Sequence, residues 1–270
     1  MPLTTRQMFL VFLKIALPSI FTNIGSFATV VTNAVIAGHM SDPANQAAVG
    51  LCGVCCNVMV LSVMIGLNGA QETLASQAFG AENYRLCGIY LNRGRLILTT
   101  FFIPIALIPV VFAEDIFLAI GQDAEVSRLA AIQIRYTMPA VYFYGQYDLQ
   151  KRWLACMRLT FYPMVFMLIG TAFHILLCLT FAIWLDYGII GLGISMTIRD
   201  FALMMMTWIY GNCSSKVRHI LMPYDREALR GWGEYLSISL PATAMLCAEW
   251  WALEVLAILA GMLGVIELAS

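Results

Sequence analysis

Charged residues are scarce in this sequence. They make up 11% of its 270 residues, whereas hydrophobic residues make up 61%. A soluble globular protein usually has about a quarter of its residues charged. Too little polar surface is available to coat a water-soluble particle, so the composition indicates a protein that crosses the lipid bilayer several times.

An excess of bases is also missing. The formal net charge is −1, and no cluster of bases interleaved with aromatic residues is present, so we expect no nucleic-acid partner. The eight cysteines are scattered, mostly over apolar segments. Cys52, Cys55 and Cys56 form a group without a nearby histidine, which favours small buried hydrophobic residues over a metal site.

The sequence lacks the common catalytic motifs. It contains no G-x-x-x-x-G-K-[S/T], no H-E-x-x-H and no G-x-S-x-G, so ATP hydrolysis and intramembrane zinc or serine hydrolysis have no support. We therefore expect a protein that is not an enzyme and that carries no cofactor. A polytopic membrane enzyme is the lowest-ranked alternative.

What the sequence has is a series of apolar runs of about 20 residues, the length that a transmembrane helix needs. The runs are too long and unbroken for barrel strands, which alternate with a period of two. We predict an all-α polytopic membrane protein with seven transmembrane helices. They lie at Phe9–Ala37, Ala47–Ala70, Leu96–Phe112, Leu129–Tyr147, Phe161–Leu185, Gly188–Tyr210 and Leu236–Met262.

The basic residues predict the orientation. With a cytoplasmic N-terminus, twelve of the fifteen Lys and Arg residues fall in segments on the cytoplasmic side. The connection at residues 113–127 then lies outside and holds four acids. This asymmetry follows the positive-inside rule and predicts that the N-terminus is cytoplasmic.

A short internal similarity suggests a repeat. The first span opens with "LKIALPSI" and the seventh with "LSISLPAT", and secondary transporters are commonly built from repeats that enclose the binding site. We predict a six-helix N-terminal transmembrane lobe at residues 1–211, a cytoplasmic linker at 212–235, and the first helix of a truncated C-terminal lobe at 236–270.

Two acids in the last span are candidates for function. Glu249 and Glu254 have no base after them in the chain, and an acid at the centre of a membrane helix costs about 2.5–3.5 kcal/mol. Five residues apart, they point about 140° apart around the helix. Trp250 shares the face of Glu254, and an indole beside an acid suits an organic cation.

Poor hydration disfavours the charged form of a carboxyl group. A glutamate in such a place could hold a proton and exchange it for a cation, which would give antiport. The alternative is that Glu249 and Glu254 are protonated, hydrogen-bonded structural groups.

Other ionisable residues fall within predicted spans. Arg199 and Asp200 are adjacent, and neighbouring helical side chains point about 100° apart, so pairing between them is not assumed. We expect buried structural pairing for Arg199, Asp200 and Arg135. The stretch Tyr136–Tyr147 either lines a cavity or forms an interfacial aromatic belt.

Several segments together carry a family resemblance. They are "LPSIFTNIGSF", "IAGHM", "NVMVLSVMIGLNGAQETLASQAFGAENY", "IFLAIGQDAEVSRLA" and "LPATAMLCAEWWALEVLAILAGMLGVIEL". In their order and spacing the sequence resembles the eukaryotic branch of the multidrug and toxic compound extrusion (MATE) family. The resemblance implies two six-helix lobes around a central cavity, alternating access, and exchange of protons, or of sodium, for organic cations.

The resemblance also implies site residues. Glu249 and Glu254 match the two acids of the family's seventh-helix motif and are the expected cation and proton site, with Trp250 beside them. Asn57 matches a polar position that faces the cavity, and Asn23 matches a polar position after the first-helix proline. Hydrogen bonding between helices is an equal alternative for the two asparagines.

The family continues for five helices beyond the position of Ser270. We therefore expect a truncated form, or a chain that needs a missing C-terminal lobe or a second chain. The predicted function is secondary active antiport that exports organic cations or xenobiotics for protons, in the plasma membrane or a vacuolar or other endomembrane. The alternatives are a non-transporting or assembly-dependent membrane component, and a lipid flippase, whose cavity should hold more bases than this sequence offers.

Overall fold

The computed structural model describes residues 5–40, 42–221 and 226–263. Within these ranges the chain forms seven long helices and one short 3₁₀ turn at Arg226–Leu229, which confirms the predicted all-α class and the number of helices. The helices are α1 (Thr5–Gly38), α2 (Pro43–Gly80), α3 (Tyr84–Ala119), α4 (Ala124–Cys156), α5 (Phe161–Trp184), α6 (Gly188–Cys213) and α7 (Trp232–Leu263).

Polar residues fix where three helices begin. The carboxylate of Asp42 accepts a hydrogen bond from the N–H of Ala44 at 2.9 Å, and Pro43 is the first residue of α2. The side chain of Asn83 caps α3 and that of Asp123 caps α4 in the same way. Each cap satisfies backbone N–H groups that the first turn of a helix leaves without partners.

Two helices contain a wider turn. Asn57–Leu61 in α2 and Leu179–Trp184 in α5 are π-helical. In a π-turn one extra residue is accommodated, which shifts the side chains that follow around the helix axis and leaves carbonyl groups available to other partners. The turn in α2 lies at the centre of the candidate site described below.

Among the described residues, six helices are long and apolar enough to cross a membrane, and α4 is the exception. Its position explains this. α4 packs against α2, α3 and α6, so many of its polar side chains are buried against neighbouring helices. Gln146 donates to the carbonyl of Arg95 at 3.3 Å, and the Asp148 carboxylate accepts from Asn68 at 2.9 Å.

The expectation for Arg135 was wrong. Its side chain is exposed and donates through Nε to the carbonyl of Val110 at 3.3 Å, and no acid pairs with it in the described part of the chain. The reason is that Arg135 lies on the outer face of α4, whereas buried pairing requires the inner face.

Small residues bring α7 close to α2. A Cβ atom on Gly66 would lie 2.5 Å from the Cα atom of Thr243, and one on Gly69 would lie 3.1 Å from the side chain of Ala242. Glycine lets helix backbones approach this closely within a membrane, where dispersion contacts drive helix association. This contact fixes α7 against the bundle and thereby sets the direction in which its acids point.

The orientation in the membrane and the division at residues 211 and 235 stay predictions. Residues 264–270 of the predicted first helix of a second lobe lie outside the described residues.

The close approach of α2 and α7 gives a stability prediction. Gly66→Ala places a methyl group against the backbone of Thr243, and we expect it to lower the free energy of unfolding by about 1–3 kcal/mol, as overpacking does. Gly80→Ala is the matched control, because a Cβ atom there meets nothing within 4 Å. The measurement is unfolding of the purified chain in mixed micelles. Equal stability of the two variants would show that α7 does not pack on Gly66.

Candidate functional site

A cavity of about 520 Å³ lies within the helix bundle. Residues of α1, α2, α4 and α6 form most of its wall, and Glu254 of α7 completes it. Its polar lining residues are Ser26, Thr29, Asn33, Gln46, Asn57, Gln133, Thr137, Tyr144, Arg199, Asp200 and Glu254. The rest of the wall is mainly apolar, including Val30, Val49, Val54, Leu61 and Val141, and this combination is typical of small-molecule sites.

The α6 wall of the cavity carries an ion pair. Arg199 Nε lies 3.0 Å from Asp200 Oδ1, and the side chains are only 4% and 2% exposed. This confirms the expected buried pairing and shows that the two neighbours pair with each other, because the long arginine arm spans the angle between adjacent positions. The two atoms are close but make no well-aligned hydrogen bond, so their attraction is mainly ionic.

Hydrogen bonds hold Arg199 against α1. Its Nη1 atom donates to Thr29 Oγ1 at 3.3 Å. On the same side of α1, Asn33 Oδ1 lies 2.9 Å from Nε2 of the buried His174, which assigns the proton of that contact to the histidine. Asn33 and Thr29 therefore connect α1 to both α5 and α6, and His174 is a hydrogen-bonded core residue.

The π-turn of α2 positions Asn57 and receives α7. Asn57 is the first residue of the turn. The indole N–H of Trp251 donates to the carbonyl of Val58 at 2.9 Å, and the thiol of Cys247 donates to Ser62 Oγ at 3.4 Å. These two contacts hold α7 about one and two turns before Glu254, so the same segment of α2 places both Asn57 and Glu254 on the cavity wall.

The structure brings together only some of the predicted site residues. Glu254 and Asn57 line the cavity. Glu249 is exposed on another face of α7, and Trp250 is half-buried; neither belongs to the cavity wall. Asn23 lies in a separate polar pocket of about 100 Å³.

The separate pocket holds charged residues of α2 and α4. Arg152 donates to Glu72 at 3.0 Å and to Asp148 at 2.8 Å, and Lys151 lies 2.7 Å from Asp148. Because these charges already compensate one another, the pocket around Asn23 offers no free charge of either sign in the described structure.

From the sequence we interpreted Arg199 and Asp200 as a structural pair and did not predict that they line the cavity. Their position within a span could have indicated this, since an ionisable residue inside the membrane is a functional hypothesis by default.

Tyr144 also lines the cavity. At this residue the structure therefore supports the alternative that the stretch Tyr136–Tyr147 lines a cavity, whereas Tyr136, the first residue of the stretch, is exposed. Gln133 and Thr137 carried no signal, because neutral polar residues are common in buried helices.

A comparison with protein families identifies the chain. The MatE family profile matches residues 18–180. The chain belongs to the MatE family of multidrug and toxin extrusion transporters. It is therefore an integral membrane protein that crosses the bilayer several times, in a family that is not enzymatic.

Curated relatives of this MatE chain are found in animals and plants. It is 28% identical over 270 residues to multidrug and toxin extrusion protein 1 of Danio rerio, covering 100% of this chain and 45% of that protein. It is 28% identical over 251 residues to Protein DETOXIFICATION 9 of Arabidopsis thaliana, covering 93% of this chain and 52% of that protein. The chain thus spans about half the length of the curated relatives that it matches.

Solved structures show the same fold. The eukaryotic MATE transporter AtDTX14 superimposes with a TM-score of 0.88 at 26% identity, over 94% of this chain and 56% of that one. The Vibrio cholerae MATE transporter VcmN in the bent form superimposes with a TM-score of 0.82 at 15% identity, over 96% of this chain and 58% of that one. The helix arrangement described above is therefore that of MATE transporters.

The ion pair on the cavity wall gives a second prediction. Arg199→Gln or Asp200→Asn alone leaves one buried charge without its partner, and we expect each to lower the free energy of unfolding by about 3–5 kcal/mol. The double variant removes both charges and should cost clearly less than the sum of the single changes. A double-mutant cycle by unfolding in mixed micelles measures this coupling. Additive effects would show that the two side chains do not interact.

Proposed function

We propose that this chain forms an organic-cation binding site of a proton-coupled antiporter. The observation that carries the proposal is the charge of the cavity. Arg199 and Asp200 compensate each other at 3.0 Å, so Glu254 leaves the wall with one negative charge in excess. A monovalent organic cation matches that charge, and the apolar part of the wall matches its hydrocarbon surface.

The carboxyl group of Glu254 also explains how a proton is exchanged for the organic cation. A proton and an organic cation compete for one carboxylate, because occupation by either neutralises the single charge in a poorly hydrated space. Among the described residues no base pairs with Glu254, so its charge is available to a ligand. Asn57 lies on the same wall and can orient the ligand through its amide group. A sodium ion could take the place of the proton at the same carboxylate.

Glu249 and Trp250 remain part of the proposal through the family resemblance. They lie on faces of α7 outside the cavity wall, and Glu249 is exposed. The relatives are about twice as long as this chain. We propose that Glu249 faces a second lobe or a second chain, so that α7 contributes one acid to each side of a complete central cavity. We place such an assembly in the plasma membrane or an endomembrane, as in the prediction from sequence.

A second candidate function follows from the coverage of the relatives. If alternating access requires the five further helices of the second lobe, this chain binds a cation but does not move it unless a partner is present. Binding and uptake measured on the same preparation separate the two functions.

The test uses the purified 270-residue chain in proteoliposomes with an acidic lumen, so that protons leave as the cation enters. We expect uptake of a fluorescent organic cation such as ethidium, and at least a tenfold loss in Glu254→Gln because its neutral side chain cannot exchange a proton. Asp115→Asn is the matched control, since Asp115 is exposed and does not line the cavity.

Equilibrium binding of the same cation in detergent decides between the outcomes. Binding that depends on Glu254 without uptake would establish the assembly-dependent function. Absence of binding, or binding that Glu254→Gln leaves unchanged, would contradict the proposed site.

A further inference from the structure

A second concave surface lies away from the transport cavity. An open groove of about 660 Å³ runs between α1 and the beginning of α5. Four large apolar side chains line it and are strongly exposed: Leu17, Phe21, Phe161 and Leu168, at 47%, 47%, 56% and 42%. Two bases, Lys14 and Arg158, lie at the same groove. The groove thus combines a long apolar wall with positive charge.

A proline brings the two bases together. Pro18 has no N–H group, so the carbonyl of Lys14, four residues earlier, loses its partner within α1. The hydroxyl of Thr160 takes that place and donates to the Lys14 carbonyl at 3.5 Å. Thr160 belongs to the turn between α4 and α5, and Arg158 lies in the same turn. The contact therefore joins the turn to α1 beside Lys14.

The backbone of the turn sets the direction of Arg158. Its φ angle is +60°, a left-handed conformation that residues with a side chain rarely adopt. Both basic side chains are exposed, and within the described residues neither makes an ion pair. Two positive charges are thus available at the groove without a carboxylate from this chain to compensate them.

We propose that this groove binds an anionic phospholipid, with its phosphate between Lys14 and Arg158 and an acyl chain along the apolar wall. The two bases match the negative charge of the phosphate head group, and the exposed apolar side chains match the acyl chain. Both bases lie on the side that the basic residues of the sequence predict to be cytoplasmic, where anionic lipids are concentrated and attract basic groups near the surface. A free phosphate ion would leave the apolar wall uncovered.

The first experiment is native mass spectrometry of the purified 270-residue chain with equal amounts of dioleoyl phosphatidylglycerol and dioleoyl phosphatidylcholine. We expect preferential binding of phosphatidylglycerol, by about fivefold for each base that contacts the head group. K14Q/R158Q should abolish the preference. K216Q/R218Q is the matched control, because it removes two exposed bases of the same predicted side away from the groove, and it should retain the preference.

Three outcomes would overturn the proposal. The preference could persist in K14Q/R158Q, or the control could lose it equally, which would show a general effect of charge. Glycerol 3-phosphate could also compete as well as the intact lipid, which would show a site for free phosphate.

The second experiment needs no variant. Phosphatidylglycerol with a photoactivatable acyl chain is added to the unmodified chain in lipid nanodiscs, and the labelled peptides are identified. We expect labels concentrated at residues 13–21 and 161–168. Labels spread evenly over the other lipid-facing helices, or cross-links in this groove to a second copy of the chain, would contradict a lipid site.

Discussion

The interior of a bilayer offers no water to a charged group, and this constraint organises the whole bundle. The polar side chains of α4 satisfy it by facing other helices, as Gln146 and Asp148 do. Arg199 and Asp200 satisfy it by pairing with each other at 3.0 Å. Glu254 has no such partner among the described residues and faces a cavity instead. The charge that the fold leaves uncompensated is the one that a cationic ligand can use.

The position of Glu254 depends on how α7 meets α2. Close approach at Gly66 and the hydrogen bond from Trp251 to the carbonyl of Val58 hold the two helices together. The π-turn supplies that carbonyl and also turns Asn57 toward the cavity. A π-turn within a membrane helix is frequently found at functional sites. Here it couples the helix that opens the predicted second lobe to the wall of the candidate site.

Much of the fold could be predicted from the sequence, because apolar runs of sufficient length define membrane helices one by one. Even α4, the least apolar of the long helices, was predicted from its sequence, at Leu129–Tyr147. The cavity could be predicted only in part. Glu254 and Asn57 could be predicted because they match positions in the family's motifs. The contact between Asn33 and His174, 141 residues later, could not, because it depends on packing between distant segments. The exposed position of Glu249 and the buried pairing of Arg199 with Asp200 likewise depend on which face each helix turns inward.

The central claim is that a proton and an organic cation share the carboxyl group of Glu254. Proton release on cation binding tests it most directly, measured with a pH indicator as tetraethylammonium is added to the weakly buffered, detergent-purified chain. The account predicts a release of up to one proton per bound cation, which is absent in Glu254→Gln. Cation binding without proton release at any pH, or release that persists in Glu254→Gln, would contradict it.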